Sequence, residues 1–246
     1  QGYSSAASDV YKRQSSNLSI AMARIKTALY STLPGQKVQN RMAPRPKIIE
    51  GFEGIHSGPP IKSAVLILIM PDNNELAIPF IQRTNRGRYH AGQIALPGGK
   101  MELCDKDAIE TALRECEEEI GVSSKEISIL GTLSELYIPL SNYNITPIVG
   151  TVLQKPAFTL SPNEVEKVIS IPLSVLFNPD HKSTSSFSRH DHKIIAPGYR
   201  IGEYFIWGAT AMIIYEMEQI MKDNTRHIEI TKNQKEFYQN PPAFPQ

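Results

Sequence analysis

Residues 98–122 read Gly-Gly-Lys-Met-Glu-Leu-Cys-Asp-Lys-Asp-Ala-Ile-Glu-Thr-Ala-Leu-Arg-Glu-Cys-Glu-Glu-Glu-Ile-Gly-Val. The second half of this stretch predicts a helix over about Asp107–Ile120, closed by Gly121 where a C-cap glycine belongs. Each helical residue advances about 100° around the axis. Ile109, Ala112, Leu113, Cys116 and Ile120 therefore share one arc, the side that packs inward, and Glu115, Glu118 and Glu119 share another. At spacings i, i+3 and i+4 these glutamates face one another, and their repulsion costs roughly a few tenths of a kcal/mol per pair on an open helix. The cost rises beside a low-dielectric cleft. A divalent cation removes it, and hard carboxylate oxygens suit Mg2+ or Mn2+. A solvated acidic face is the plainer reading of residues 117–119 taken alone. That reading does not account for Gly98-Gly99, which predicts a strand-to-helix connection where backbone can approach a metal or phosphate closely. Nor does it account for Arg114, which can hold Glu115 or a phosphate oxygen through paired hydrogen bonds.

Upstream of the stretch, Ala64–Met70 is a continuous apolar run that predicts a strand buried on both faces. Pro71-Asp72-Asn73-Asn74 predicts a turn and Glu75–Gln82 the returning strand of a hairpin. Arg83–Gly92 reads as a polar loop, and Ile94–Leu96 as a short strand feeding Pro97-Gly98-Gly99. Downstream, strands are predicted at Ile127–Leu133, Asn144–Leu153, Lys167–Pro172 and Tyr204–Trp207. A last helix is predicted at Ala209–Met221, with Ala211, Ile214, Met217 and Ile220 or Met221 as its inner stripe. An N-terminal helix is expected over Leu18–Leu33, stopped by Pro34-Gly35, followed by an extended connection, Met42–Pro60. The four parts expected are a non-native or disordered leader (1–15), the helix and connection (16–60), one main folded domain (61–222) and a polar, loosely ordered tail (223–246). Strands mixed with helices indicate an α+β or α/β architecture.

Composition narrows the function classes. With 26 basic and 25 acidic residues the formal net charge is +1, which supplies no long-range field for nucleic acid or an anionic membrane. The longest apolar run, Ala64–Met70, is far short of a membrane span, and residues 1–5 lack the apolar segment of a signal peptide. Cys104 and Cys116 form neither a CxxC pair nor a Cys/His cluster, which argues against zinc. Both are expected as buried, reduced thiols in a reducing, cytoplasmic compartment.

The stretch resembles the Nudix box, G-x5-E-x7-R-E-U-x-E-E-x-G-U with U a bulky apolar residue. Its second half matches over Arg114–Val122, with Cys116 at a U position. Its first half departs: Asp105 stands at the acidic position, and eight residues separate it from Arg114. That lengthened form is similar to the bacterial coenzyme A pyrophosphatase branch of the family. The segment Arg83-Thr-Asn-Arg-Gly-Arg88-Tyr-His-Ala-Gly92-Gln-Ile-Ala-Leu96-Pro97-Gly98-Gly99 is similar to the branch's upstream pattern R-[SA]-x3-R-x3-G-x3-[FL]-P-G-G, with Thr84 for Ser/Ala. Asn144–Gly150 and the segment from Tyr204 to Met212 look like the same branch, so the resemblance covers about residues 60–222.

The resemblance implies an αβα sandwich with a mixed β-sheet between helices and divalent-metal-dependent hydrolysis of a diphosphate bond. It implies Glu115, Glu118 and Glu119 as metal ligands, with the Gly98 carbonyl as a further one. Glu115 and Glu118, with Arg114 beside them, form the catalytic cluster. Arg83 and Arg88 are expected on substrate phosphates, next to the Gly98-Gly99 backbone. The general base stays open among Glu115, Glu118 and Glu164 of the Pro162–Glu166 segment. His90 is an additional phosphate contact to weigh against a solvated loop histidine. Tyr89 and Tyr137 are weighed as adenine stackers against rim packing, and Trp207 reads as core. The expected substrate is coenzyme A or a derivative. The alternatives are ADP-ribose, dinucleotides or nucleoside triphosphates, or a non-catalytic nucleotide-binding domain. The N-terminal helix is expected either in a homodimer contact or as a cover over the core edge.

Overall fold

The computed structural model describes residues 19–45, 56, 58–85, 92–189 and 192–222. Helix α1 occupies 19–29 and the one-turn helix α2 Gln36–Gln39. Strand β1, Ile61–Asp72, turns through Asn73-Asn74 into β2, Glu75–Arg83. Both asparagines take positive φ, 46° and 68°, the left-handed pair that a two-residue hairpin needs and that Asn tolerates. Then follow β3 (Ile94–Ala95), β4 (Gly98–Lys100), helix α3 (Ala108–Ile120), β5 (Ser128–Thr132), β6 (Leu136–Ile138), β7 (Tyr143–Thr151) and β8 (Val165–Pro172). The chain continues through α4 (Leu173–Leu176), β9 (Lys182–Arg189), β10 (His192–Ile201), β11 (Tyr204–Trp207) and helix α5 at 208–222.

An eight-stranded mixed sheet forms the centre, in the order β3-β2-β1-β7-β5, with β4 on β1, β6 on β7 and β8 on β2. The β1–β7 pair is parallel from Ile61↔Tyr143 to Ile69↔Thr151. The apolar run of β1 is explained by two-sided burial. Ala64, Leu66, Leu68 and Met70 face α3 with Ala112, Cys116 and Ile120. Ile67 and Ile69 face the opposite core with Ile214 and Met217 of α5. Helices on both faces make this the expected αβα sandwich. On the outer side of β7, β6 pairs as far as Ile145 and β5 begins opposite Ile148. The break falls at Thr146-Pro147, where proline has no N–H to give a ladder.

Helix α1 ends at residue 29 rather than at Leu33. Ile25, Ala28 and Leu29 are buried in the α5-side core, and Leu29 lies against Gly131 of β5. The helix thus covers the core edge of its own chain. The second, three-stranded sheet β11-β10-β9 was not predicted beyond Tyr204–Trp207, because β9 reads Lys-Ser-Thr-Ser-Ser-Phe-Ser-Arg, without apolar alternation. Its stabilisation is tertiary: Tyr199 and Ile206 insert into the core beneath α5. The Tyr199 hydroxyl and the ammonium groups of Lys182 and Lys222 converge on Glu218, which is fully buried on α5. Most of the connection 42–60 and all of the tail 223–246 lie outside the described residues, as does the leader 1–15. Among the described residues no helix is long and apolar enough to cross a membrane.

Candidate active site

Helix α3 is fixed at both ends by its own sequence. The Asp107 carboxylate caps it, accepting from the N–H groups of Ile109 and Glu110 at 2.8 and 2.9 Å. Gly121 ends it at φ 73°, its N–H on the Glu117 carbonyl at 2.9 Å. The connection between β7 and β8 supplies further caps: Thr159 N–H donates to Ile120 O, and Ser161 N–H to Glu119 O. That clamp sets the rotation of the helix against the sheet.

Two expectations are corrected. Gly98 and Gly99 do not form a strand-to-helix turn; they belong to β4, paired antiparallel to β1 through Val65↔Gly98 and Ala64↔Gly99. The turn is the following loop, 101–107, in which Cys104 is exposed while Cys116 alone is buried. The reason for glycine is then close packing. A Cβ on Gly98, which has φ 153°, would stand 2.3 Å from the Ala64 carbonyl oxygen, and one on Gly99 would lie 2.4–2.6 Å from the Glu115 carboxyl group. The bare backbone of Gly99 is the surface on which Glu115 rests.

The three glutamates differ in environment, although they share one arc of the helix. Glu118 is open to solvent, with 57 % of its side chain exposed, Glu115 is largely covered, and Glu119 is buried. One Glu119 oxygen accepts from Gly98 N–H at 2.9 Å; the other is 3.5 Å from Arg83 Nη2, which also donates to the Gly98 carbonyl at 3.2 Å. Burial, more than any other influence, pushes the Glu119 pKa up to about 7, against the pull of Arg83. Burial likewise raises Glu115, against the Arg114 bond. The charge of Glu164 adds to the rise at both, which puts this exposed turn residue within electrostatic reach of the carboxylates. Cys116, among apolar neighbours, has its thiol pushed up to about 12 by burial, where it stays protonated.

Arg114 commits its donors to protein. Nε and Nη2 grip Asp105 in parallel at 3.0 Å each, Nη1 reaches Glu115 and Glu118 at 2.9 Å, and Nη2 also meets the Lys100 carbonyl at 3.1 Å. Asp105 further accepts from Thr111 Oγ1 and Glu102 N–H. Its pKa falls below the usual carboxylate range, chiefly through the Arg114 bonds, and Arg114 is raised in turn. The sequence reading singled out Arg114 but not Asp105 as a site residue; the acid at the shifted box position was the available signal. Tyr137, on β6, bonds Asn142 through its hydroxyl, and Trp207 stands edge-on to Phe187, ring centroids 4.5 Å apart. Arg88, Tyr89 and His90 lie outside the described residues.

The donor set fits a hard divalent cation. It consists of carboxylate oxygens beside a bare glycine backbone, and Arg83 and Arg114 supply the positive charge now facing them. Among the described residues no three acidic, histidine or cysteine side chains already converge tightly enough to hold an ion. Glu115 and Glu118 meet through Arg114, and Glu119 pairs with Arg83.

Comparison with known proteins places this geometry in a family. The NUDIX domain profile matches residues 60–187. Nudix hydrolase 22, chloroplastic, of Arabidopsis thaliana is 31% identical over 192 residues, 75% of this chain and 58% of the plant protein, so the chain spans less than two thirds of that relative. An uncharacterised Nudix hydrolase NudL of Yersinia pestis is 36% identical over 160 residues, covering 64% of this chain and 78% of the relative. Among solved structures, a MutT/nudix family protein of Enterococcus faecalis aligns with a TM-score of 0.47 at 18% identity, over 68% of this chain and 64% of that one. RenU, a Nudix hydrolase of M. smegmatis, aligns with 0.45 at 13% identity, over 77% and 92%. With the profile spanning more than half of its length, and its glycine-backed carboxylate helix at the centre of the matched region, the chain belongs to the Nudix hydrolase family.

Proposed function

We propose that the protein hydrolyses the diphosphate bond of coenzyme A or one of its derivatives, water adding to one phosphorus to release 3′,5′-ADP and 4′-phosphopantetheine. The observation that carries this reading is the Arg83 contact. The first residue of the coenzyme A-type upstream pattern reaches the Gly98 carbonyl and Glu119 together, joining that pattern physically to the carboxylate helix. Glu115, Glu118 and Glu119 hold Mg2+ or Mn2+ in this reading, with the Gly98 carbonyl beside them. The bound cation supplies charge neutralisation at the diphosphate and a lowered pKa for the attacking water. Arg83 turns from Glu119 to a phosphate oxygen, for which its planar fork is suited. Arg114 is a positioning residue: anchored on Asp105, it holds Glu115 and Glu118 in place. Glu164, exposed on the turn before β8, is the proton acceptor that reaches the centre from a separate element.

The test is incubation with coenzyme A, ADP-ribose and a dinucleoside polyphosphate in Mg2+ or Mn2+, with mass spectrometry of the products. Release of 4′-phosphopantetheine is expected. Cleavage of ADP-ribose with coenzyme A left intact would overturn the substrate and keep the reaction class. Binding without turnover in either metal would overturn the enzymatic reading.

A further inference from the structure

We propose that Lys167 and Tyr204 form a seat for a phosphomonoester on the nucleotide's ribose, on the sheet face opposite Glu119, and that Glu203 occupies this seat until substrate displaces it. The inference rests on the coenzyme A reading above and adds the group that would read the substrate's third phosphate.

Arg83 is drawn to the carboxylate side, against Gly98 and Glu119, so its charge serves the diphosphate. A further anionic group needs another cation. Side chains alternate across a strand, so Gln82 faces away from Arg83, toward the core that holds Ile78 and Phe80. Lys167 stands directly opposite Gln82 on β8 and shares its face. The register slips at this point, Gln82↔Lys167 being followed by Arg83↔Val165. The bulge at Glu166 sits at the end of β2 from which the 84–93 loop departs, and such bulges re-aim side chains beside sites.

A cation held against a tyrosine hydroxyl already faces an anion here. Lys167 Nζ bonds Tyr204 Oη at 2.9 Å, lies 4.7 Å from the Tyr204 ring centroid and stands 3.6 Å from a Glu203 carboxylate oxygen. Glu203 titrates below its ordinary value, first through a hydrogen bond from the Tyr204 hydroxyl and then through the Lys167 charge. Its side chain is 75 % exposed on the β10–β11 turn, so water screens the pairing and leaves it weak and exchangeable. A phosphomonoester, more highly charged and with three acceptor oxygens, is the stronger partner for the same two donors. On the same face the amide oxygen of Gln82 is buried without a hydrogen-bond partner, an arrangement that costs free energy until a donor arrives. The ribose hydroxyl next to the phosphomonoester is such a donor.

The test compares coenzyme A with dephospho-coenzyme A, which lacks only that phosphate, as substrates of the full chain in Mn2+. The wild type is expected to show a KM for coenzyme A about tenfold below that for dephospho-coenzyme A, the worth of one charge-assisted contact. Lys167→Ala should remove the difference by raising the coenzyme A KM with kcat unchanged, Lys167→Arg should restore it, and Glu203→Gln should lower the coenzyme A KM. None of the three should move the dephospho-coenzyme A values. If both compounds are cleaved and Lys167→Ala leaves their KM ratio as in wild type, the seat is wrong while the coenzyme A reading stands. If neither compound is cleaved, the coenzyme A reading itself fails and takes this inference with it.

Discussion

At the residue scale the decisive group is Glu119. Its position in the sequence matches that of Glu115 and Glu118, yet it alone is buried, with a pKa near 7. That value lies above the ordinary 4.5, so the metal-free fold holds the proton more tightly than the unfolded chain does. The stabilisation this gives is complete below about pH 4.5 and is lost as pH rises through 7. Metal-free wild type should therefore lose up to about 3 kcal/mol of stability from pH 5 to pH 8 relative to Glu119→Gln, read as diverging melting temperatures. Parallel melting curves across that range would contradict the burial. In metal, the same variant should stay folded and lose diphosphate turnover; near-wild-type activity would remove Glu119 from the proposed ligand set. Asp105 has the opposite sign. Its pKa is depressed by Arg114, so its contribution is present at neutral pH and lost on acidification. Asp105→Asn should lower the melting temperature at pH 7 by the equivalent of about 2–3 kcal/mol and flatten the acid limb of the stability profile.

At the scale of elements, α3 and β4 act as a pair. The helix is bounded by a capping aspartate, which the structure identifies, and a left-handed glycine, which the sequence already marked. Gly121→Ala forces a Cβ at φ 73° to within 2.7 Å of Thr159 and should cost about 1–2 kcal/mol by thermal unfolding. The glycines of β4 have different roles, so their substitutions separate folding from function. Gly98→Ala drives a Cβ into the backbone carbonyl of Ala64, which cannot move without breaking the β1–β4 pairing, and should yield no folded protein. Gly99→Ala meets the end of the Glu115 side chain instead, which can swing aside. That variant should fold, with metal-dependent activity reduced at least about tenfold because Glu115 loses its resting surface. Equal activity of Gly99→Ala and wild type would show that the close approach is incidental.

For the whole molecule, the sheet is covered by α3 on one face and by α5 with the small sheet on the other, while α1 closes the edge beside β5. Ile25, 2 % exposed in α1, belongs to the same core as β1 and α5. Ile25→Ala should therefore lower global stability by about 2–4 kcal/mol in one cooperative transition. A separate early transition for the N-terminal segment would mean that α1 docks as an independent unit.

The period of the apolar residues, the closing Gly121, the Asn73-Asn74 turn and the glutamate spacing are local properties, each set within a few residues. They were sufficient for the hairpin, for α3 and α5, for most central strands and for the helix face that Glu115, Glu118 and Glu119 share. Three features are not local. Burial of Glu119, the β4 pairing that replaces the supposed Gly98-Gly99 turn, and the anchoring of the polar strand β9 through Lys182 on Glu218 all depend on partners distant in sequence. Glu119 is buried because Gly98 and Arg83 close over it; β9 is a strand because β10 pairs with it and Glu218 on α5 receives Lys182. The sequence by itself determined which residue types could bind a metal and a diphosphate. Tertiary packing decided which of those carboxylates is desolvated, because desolvation is a property of what surrounds a group and not of the group.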